Sequence, residues 1–259
     1  MSIRRATGRK NSSMGIHLIM PMGGSGSRFS ERGFSLPKPL IPIQGHPFFY
    51  WATESVHRFI KLSSLTFVVL LDHIKQFDID KVIYEYYPDA KLHVLERVLN
   101  GAVLTCLEGI KTIHDEKPVL FNDCDHIFKS REFYEFCEKQ KFDDVDGILL
   151  YFRSIDPKFS FVELDETGNV LSTVEKEAVS DKAICGAYYF RNRALFEKAT
   201  NVYLSEYSCK EFFISGVYNI MASQGANIRS FSVDMHLSFG TPEEYDLALK
   251  SEVFDELIS

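Results

Sequence analysis

The chain has 259 residues, of which 45% are hydrophobic and 25% charged, and its formal net charge at pH 7 is -7. This composition is that of an ordinary folded protein and argues against a disordered or fibrous chain. The negative charge argues against a chain that coats nucleic acid or an anionic membrane, because neutralising phosphates requires a positive surface. We therefore expect neither nucleic acid nor a membrane as a partner.

The cysteines and the first residues of the sequence give an expectation of the cellular location. The five cysteines form no Cys-x-x-Cys pair, show no zinc-like spacing and are odd in number, so a reduced, cytoplasmic location is expected. No apolar run reaches the roughly 18 residues that span a bilayer. Residues 1–14 are polar and lack the apolar middle of a secretory signal, so they are predicted to be a flexible tail. Residues 15–259 are predicted to form one domain.

Apolar runs alternate with helical patterns along the first 190 residues. The runs carry β-branched or aromatic residues on both faces, which is typical of strands buried on both sides of a largely parallel sheet. They are residues 16–20, 65–71, 119–121, 147–152 and 184–190. Segments that follow Pro47 or carry apolar positions three and four apart indicate helices. They are residues 47–61, 101–114 and 130–140.

The later part of the chain changes character. Two alternating runs flank the turn-like residues 166–169 and predict a β-hairpin. Further elements are predicted as helices at residues 193–203, 215–224 and 242–254 and a strand at 228–233. The whole pattern predicts an α/β, three-layer sandwich with a mixed, mostly parallel central sheet.

A glycine loop directly follows the first predicted strand. Glycines lack Cβ, so backbone N–H groups can approach phosphate oxygens closely. The loop residues are Met22, Gly23, Gly24, Ser25, Gly26 and Ser27. The dinucleotide fingerprint needs a glycine where Phe29 stands, and the Walker loop needs a Gly-Lys pair that is absent, so both common nucleotide loops are disfavoured.

Two cations follow the loop. Arg28 has a planar fork that can bind phosphate oxygens in bidentate fashion. Lys38 lies between Pro37 and Pro39, whose stiff, non-helical backbone would aim its ammonium at a fixed point. Together with the loop they predict a triphosphate site.

Two carboxylates follow the central predicted strand. Asp123 and Asp125 alternate in extended chain, so both could face one hard cation, for which magnesium is the natural choice.

Residues 16–47 resemble the signature of the nucleotidyltransferases that make nucleotide sugars and related activated phosphates. That pattern is a strand, a Gly-x-Gly-Ser/Thr-Arg loop, a spacer, Pro-Lys-x-Leu and Gly-x-Pro. Here it reads Gly24-Ser25-Gly26-Ser27-Arg28, Pro37-Lys38-Pro39-Leu40 and Gly45-His46-Pro47. Weaker matches run from about residue 15 to about residue 250. The resemblance implies a Rossmann-like fold of GT-A type and nucleotidyl transfer from a nucleoside triphosphate to a phosphorylated acceptor, most often a sugar 1-phosphate, with release of pyrophosphate.

The resemblance also implies roles for individual residues. Arg28 would bind the departing pyrophosphate, Lys38 the α-phosphate, and Asp125 with Asp123 the Mg²⁺ ion. The further implied contacts are Asn100 and Gly101 with the nucleobase, Asp123 with the nucleotide, Glu175 and Lys176 with the sugar and phosphate of the acceptor, and Gly186 with the acceptor pocket.

One position departs from the family pattern. Many members carry an aspartate as a second metal ligand where this chain has Ser238, two residues before Gly240. Asp234 is the nearest acidic candidate for that role.

Three alternatives stay open from the sequence. A cytidylyltransferase acting on a small non-sugar phosphate such as choline phosphate is compatible with Ser238 and with aromatic residues such as Phe159, Phe161 and Tyr188. A metal-dependent glycosyltransferase shares the sheet and the Asp-x-Asp pair, but has no use for Arg28 and Lys38. A non-catalytic nucleotide-binding protein is favoured only by Ser238. The base, the acceptor, the pathway and the formation of homo-oligomers are not determined by the sequence.

Overall fold

The structure is a computed structural model that describes residues 15–139, 142–208 and 210–258. The predicted tail of residues 1–14, the last residue of the predicted helix 130–140 and Cys209 lie outside the described residues.

The described ranges contain thirteen β-strands and ten α-helices, and their order alternates through the first half. The strands are β1 (Ile16–Pro21), β2 (Pro42–Ile43), β3 (His46–Pro47), β4 (Leu62–Leu70), β5 (Lys91–Leu95), β6 (Val119–Asn122), β7 (His126–Lys129), β8 (Gly147–Arg153), β9 (Ser160–Leu164), β10 (Val170–Glu175), β11 (Lys182–Phe190), β12 (Ile228–Ser232) and β13 (Met235–Ser238). The helices are α1 (Ser27–Glu31), α2 (Phe48–His57), α3 (Leu71–Phe77), α4 (Ile79–Tyr86), α5 (Ala102–Ile110), α6 (Arg131–Lys139), α7 (Arg193–Glu206), α8 (Ile214–Ser223), α9 (Pro242–Ala248) and α10 (Val253–Ile258).

Nine of the strands in the described ranges form one mixed sheet. The order along its main path is β10-β9-β11-β6-β1-β4-β5. β1 pairs in parallel with β4 and β6, and β4 pairs in parallel with β5. β11 is antiparallel to β6, β8 and β9, and Ala183 pairs with both Phe152 of β8 and Phe161 of β9. β12 adds to β8 in parallel. The fold is the predicted mixed, mostly parallel α/β sandwich.

The central strands are buried on both faces, which produces the three layers. In β1, Leu18 and Met20 join one apolar cluster with α2, α4 and α6, whereas Ile19 joins another with α5, α7 and α8. Because successive side chains of a strand point to opposite faces, a nearly continuous apolar run is needed to cover both.

A third apolar cluster lies beside the sheet and fixes the segments that follow β1. Phe29 and Phe48 pack there with Phe239 and with Phe254 of α10. The ring of Phe48 lies 4.6 Å from that of Phe239. Residues 29–48 and the helices α9 and α10 are thereby packed against each other.

Some elements differ from the sequence prediction. Leu71 begins α3 instead of ending a strand. The predicted helix over residues 242–254 is two helices, since the Ser251 hydroxyl accepts a hydrogen bond from Val253 N and so starts α10 anew. The ribbon of β7 and β13 was not predicted. None of the helices in the described ranges is both long and apolar enough to cross a membrane.

Candidate active site

A cavity of about 900 Å³ opens at the carboxyl ends of β1 and β6. Ligands bind at this edge of open α/β sheets because the loops after parallel strands meet there. Most of the predicted site residues line it: Met22, Gly23, Gly24, Ser25, Gly26, Ser27, Arg28, Lys38, Gly101, Asp123, Asp125, Glu175, Lys176 and Gly186.

The glycine loop forms one wall of the cavity. A Cβ on Gly23 would lie 2.7 Å from Leu95 Cδ1, and one on Gly26, whose φ is 63°, would lie 3.2 Å from Lys38 Cβ. A Cβ on Gly24 would meet nothing within 4 Å. Gly23 and Gly26 therefore allow close packing of the chain, whereas Gly24 leaves its backbone open. The amides of Gly24 and Ser25 donate to no backbone acceptor in the described ranges, which suits an anion.

Lys38 reaches across the cavity to Asp125. It begins a short 3-10 turn, Lys38–Leu40, directly after Pro37. Its Nζ donates to Asp125 Oδ2 at 2.7 Å. Burial lowers the pKa of Lys38, but the Asp125 carboxylate outweighs that effect and holds it above its ordinary value. Burial acts to raise the pKa of Asp125, and Lys38 brings it below the ordinary value.

Asp123 lies beside this pair without a cation of its own. Burial, and then the neighbouring Asp125 charge, raise the pKa of Asp123 to about 7. Its backbone N donates to Gly186 O at 2.9 Å. A Cβ on Gly186, whose φ is 88°, would lie 3.0 Å from Asp123 Oδ2, so only glycine leaves this carboxylate its space.

The donor set at this point is compatible with magnesium. No group of three or more His, Cys, Asp or Glu side chains in the described part of the chain could hold a metal ion alone. Mg²⁺, however, is commonly held by one or two carboxylates, with waters and substrate phosphates completing the shell. Asp123, which has no ion-pair partner in the described part of the chain, and the neighbouring Asp125 fit such an ion.

Glu175, the last residue of β10, and Lys176, which follows it, also line the cavity. Glu175 Oε2 accepts from Ser215 Oγ at 3.0 Å and also from Ser160 Oγ. Lys176 has a left-handed φ of 57°, and its ammonium lies 4.5 Å from the centroid of the Phe213 ring.

Several lining residues were missed from the sequence. Lys158 Nζ lies 2.9 Å from Glu244 Oε1, and Glu244 is held by a capping box with Thr241 at the start of α9. That box could have been found, since Thr-x-x-Glu after a glycine is its sequence signature. His236 also lines the cavity, stacked 3.9 Å from the Phe152 ring, and burial lowers its pKa to about 3.

Two predicted site residues are not among the described residues that line the cavity. Asn100 is exposed and is not part of the cavity lining, although Gly101 is. Asp234 is not placed with the other carboxylates, since its Oδ2 accepts from Arg131 N at 2.7 Å at the start of α6. It precedes β13, whereas Ser238 at the other end of β13 pairs with His126. Four extended residues span roughly 13 Å, which keeps Asp234 away from Asp125.

Comparison with known proteins shows which family the sequence matches. The family model described as nucleotidyl transferase matches residues 17–245. The D-glycero-alpha-D-manno-heptose 1-phosphate guanylyltransferase of Campylobacter jejuni is 24% identical over 238 residues, which are 89% of this chain and 97% of that protein.

Solved structures show the same fold. The nucleoside-diphosphate-sugar pyrophosphorylase from Vibrio cholerae superposes with a TM-score of 0.78 at 21% identity and covers 90% of this chain and 100% of its own. The inositol-1-phosphate CTP transferase from T. maritima gives 0.74 at 14% identity, covering 95% and 96%. The match over residues 17–245 shows that the chain belongs to the nucleotidyl transferase family.

Proposed function

We propose that the protein transfers a nucleotidyl group from a nucleoside triphosphate to a sugar 1-phosphate and releases pyrophosphate. The observation that carries this proposal is that one cavity joins the glycine loop and Lys38 to Asp123, Asp125 and the Glu175-Lys176 pair. The guanylyltransferase of Campylobacter jejuni supports the acceptor class, since its name specifies a heptose 1-phosphate.

In the proposed reaction an acceptor phosphate oxygen attacks the α-phosphorus. A new P–O bond forms, the bond to the oxygen that bridges the α- and β-phosphates breaks, and its electron pair leaves with pyrophosphate. Such a transfer requires positioning and charge neutralisation more than a covalent nucleophile. The exposed Arg28, which forms no ion pair with the described residues, would bind the β- and γ-phosphates. Lys38 would exchange Asp125 for the α-phosphate.

Asp123 and Asp125 would hold Mg²⁺ together with the phosphates. When bound, the ion would neutralise charge on the phosphate oxygens. This role is supported by the raised pKa of Asp123, because a carboxylate that lacks a compensating cation gains most from one.

Lys176 would bind the acceptor phosphate and Glu175 the acceptor hydroxyls. Among the described residues, the two hydroxyls that donate to Glu175 both engage Oε2, which leaves Oε1 for a ligand. A choline-like acceptor is less well supported. The ammonium of Lys158 lies 4.8 Å from the Phe159 ring and that of Lys176 lies 4.5 Å from the Phe213 ring, so these aromatic faces already carry cations. A quaternary ammonium needs a free aromatic face.

We also propose a cytoplasmic location. In the described part of the chain Cys106, Cys124, Cys137 and Cys185 are free thiols, which suits a reducing compartment.

A pyrophosphate-release screen tests the function. The purified protein is incubated with Mg²⁺, each common nucleoside triphosphate, and glucose 1-phosphate, mannose 1-phosphate or choline phosphate. We expect release with a sugar 1-phosphate and its loss in EDTA. Hydrolysis of nucleotide sugars without pyrophosphate release would instead support a glycosyltransferase. Triphosphate binding without turnover would support a non-catalytic protein.

A further inference from the structure

Residues 212–215, here called the bridging segment, contact both halves of the cavity. On the nucleotide side, Val103 N of α5 donates to Phe212 O at 3.2 Å. A Cβ on Gly101 would lie 2.5 Å from both Phe212 N and Phe212 O. The turn that precedes α5 is therefore packed directly on the backbone of this segment.

On the acceptor side, the same segment contacts Glu175, which ends β10, and Lys176, which follows it. The Phe213 ring lies beneath the Lys176 ammonium at 4.5 Å. Ser215, which is only 3% exposed, donates from Oγ to Glu175 Oε2 at 3.0 Å. Since Ser160 donates to the same oxygen, the carboxylate is held in one orientation.

One turn further along α8, Asn219 forms two hydrogen bonds with the backbone of β10. Its Nδ2 donates to Thr173 O at 2.7 Å and its Oδ1 accepts from Thr173 N at 2.6 Å. This pair of hydrogen bonds is the one that a residue of a neighbouring strand would form. Thr173 Oγ1 in turn donates to Ser215 O at 2.6 Å. The start of α8 and the end of β10 therefore form one hydrogen-bonded unit.

From these contacts we propose that Phe213 and Ser215 are positioning residues that set Glu175 and Lys176 relative to the nucleotide turn at Gly101. This inference rests on the proposed function, in which Glu175 and Lys176 bind the acceptor. Ser215 acts through Glu175 and does not line the cavity. Phe213 lines the cavity and acts through Lys176, because its ring lies against the Lys176 ammonium and so restrains where that charge lies.

The test is a double-mutant cycle on the wild type, Ser215→Ala, Glu175→Gln and the double variant, with KM measured for each substrate in the pyrophosphate-release assay. Ser215→Ala should raise KM for the sugar 1-phosphate about tenfold, because a hydrogen bond to a charged group is lost. KM for the triphosphate should stay within about twofold, as expected for an effect confined to one substrate. In the Glu175→Gln background the same change should add little, because the two residues act as one unit.

Matched variants separate positioning from general stability. Ser223→Ala removes a hydroxyl at the exposed end of the same helix, where among the described residues it donates only to Ile220 O, and should leave both KM values unchanged. Ser215→Thr keeps the hydroxyl and should recover most of the acceptor affinity. Phe213→Leu keeps apolar contact but removes the aromatic face, and should raise the acceptor KM about two- to fivefold. The half-buried Phe213 also serves as the test if Ser215→Ala fails to fold.

Three outcomes would overturn the inference. If Ser215→Ala is active and its KM for the sugar 1-phosphate is unchanged, the inference is rejected and the proposed function stays intact. If Ser215→Ala does not fold, an unchanged KM in Phe213→Leu has the same meaning. If Ser215→Ala raises KM equally for both substrates, and if that effect adds fully to the effect of Glu175→Gln, the role of Ser215 is purely structural. A wild type that turns over no substrate pair would reject the proposed function, and the inference with it.

Discussion

Lys38 Nζ donates to Asp125 Oδ2 at 2.7 Å, although 87 residues separate the two in the chain. This bond joins the loop after β1 to the loop after β6, and so connects the proposed phosphate-binding wall to the proposed metal carboxylates. The ammonium compensates Asp125, whereas Asp123 forms no ion pair within the described residues and its pKa stays raised although Lys38 acts to lower it. The same ammonium is the group that we expect to meet the α-phosphate.

Lys38→Met should lower turnover by on the order of a hundredfold or more, as for loss of one transition-state donor. Methionine retains an apolar stem at this half-buried position, so the far-ultraviolet circular dichroism should stay that of the wild type. Turnover is measured as pyrophosphate release. Lys75→Met, an exposed lysine on α3, is the matched control and should leave the rate unchanged. A near-normal rate in Lys38→Met would contradict the assignment.

The raised pKa of Asp123 predicts a pH dependence of stability. With an ordinary value of 3.8 and a folded value of about 7, the folded ligand-free protein retains a proton between about pH 4 and pH 7 that the unfolded chain releases. This group therefore makes the free energy of unfolding fall as pH rises through that window. Asp123→Asn removes the contribution, so relative to the wild type it should gain stability between pH 5 and pH 8.

Urea denaturation at both pH values measures this difference. Asp89→Asn, an exposed carboxylate remote from the cavity lining, is the control and should show no such gain. A difference between Asp123→Asn and wild type that is independent of pH would show that the Asp123 carboxyl does not titrate in this range.

The layered sheet and the place of the glycine loop, Arg28 and Lys38 in one cavity could be predicted because their signals are local. The two-sided apolar strands, the glycine order before Arg28 and the prolines around Lys38 each constrain nearby backbone. Gly186 is different, because a side chain there would collide with Asp123, which is distant in sequence. Only the family resemblance predicted this glycine.

The residues that could not be predicted are placed by long-range pairing. His236 and Ser238 reach the cavity because β13 pairs with β7, and neither strand has a strong apolar pattern. Asp234 was selected because it is near Ser238 in sequence, but the extended strand β13 lies between the two and separates them in space. Lys158 is fixed by Glu244, a residue 86 positions later in the chain.

Asp234→Ala tests whether that residue caps α6 or serves as a metal ligand. Loss of the bond from Arg131 N should lower the free energy of unfolding by about 1 kcal/mol, as for loss of a helix N-terminal cap. The Mg²⁺ concentration that gives half-maximal turnover should not change. Thermal denaturation and a magnesium titration measure the two quantities, and a large increase in the magnesium requirement would restore Asp234 as a ligand.

Gly101→Ala tests the contact between the Gly101 turn and the backbone of Phe212. Gly101 combines a φ of 96° with a ψ of 165°, a region that is essentially confined to glycine. Its added Cβ would also lie 2.5 Å from backbone atoms of Phe212, which cannot rotate away. Gly168→Ala is the matched control, because Gly168 has a similar φ of 87° but open space around its Cβ.

We expect Gly168→Ala to cost about 1 kcal/mol, the penalty of a left-handed backbone for a residue with a side chain. Gly101→Ala should cost clearly more, because the backbone of Phe212 must move as well. Urea denaturation of both variants measures the difference. Since Phe212 continues directly into Phe213 and Ser215, that displacement should also raise KM for the sugar 1-phosphate. Equal costs for the two variants, with an unchanged acceptor KM, would show that the Gly101 turn and the acceptor wall are independent.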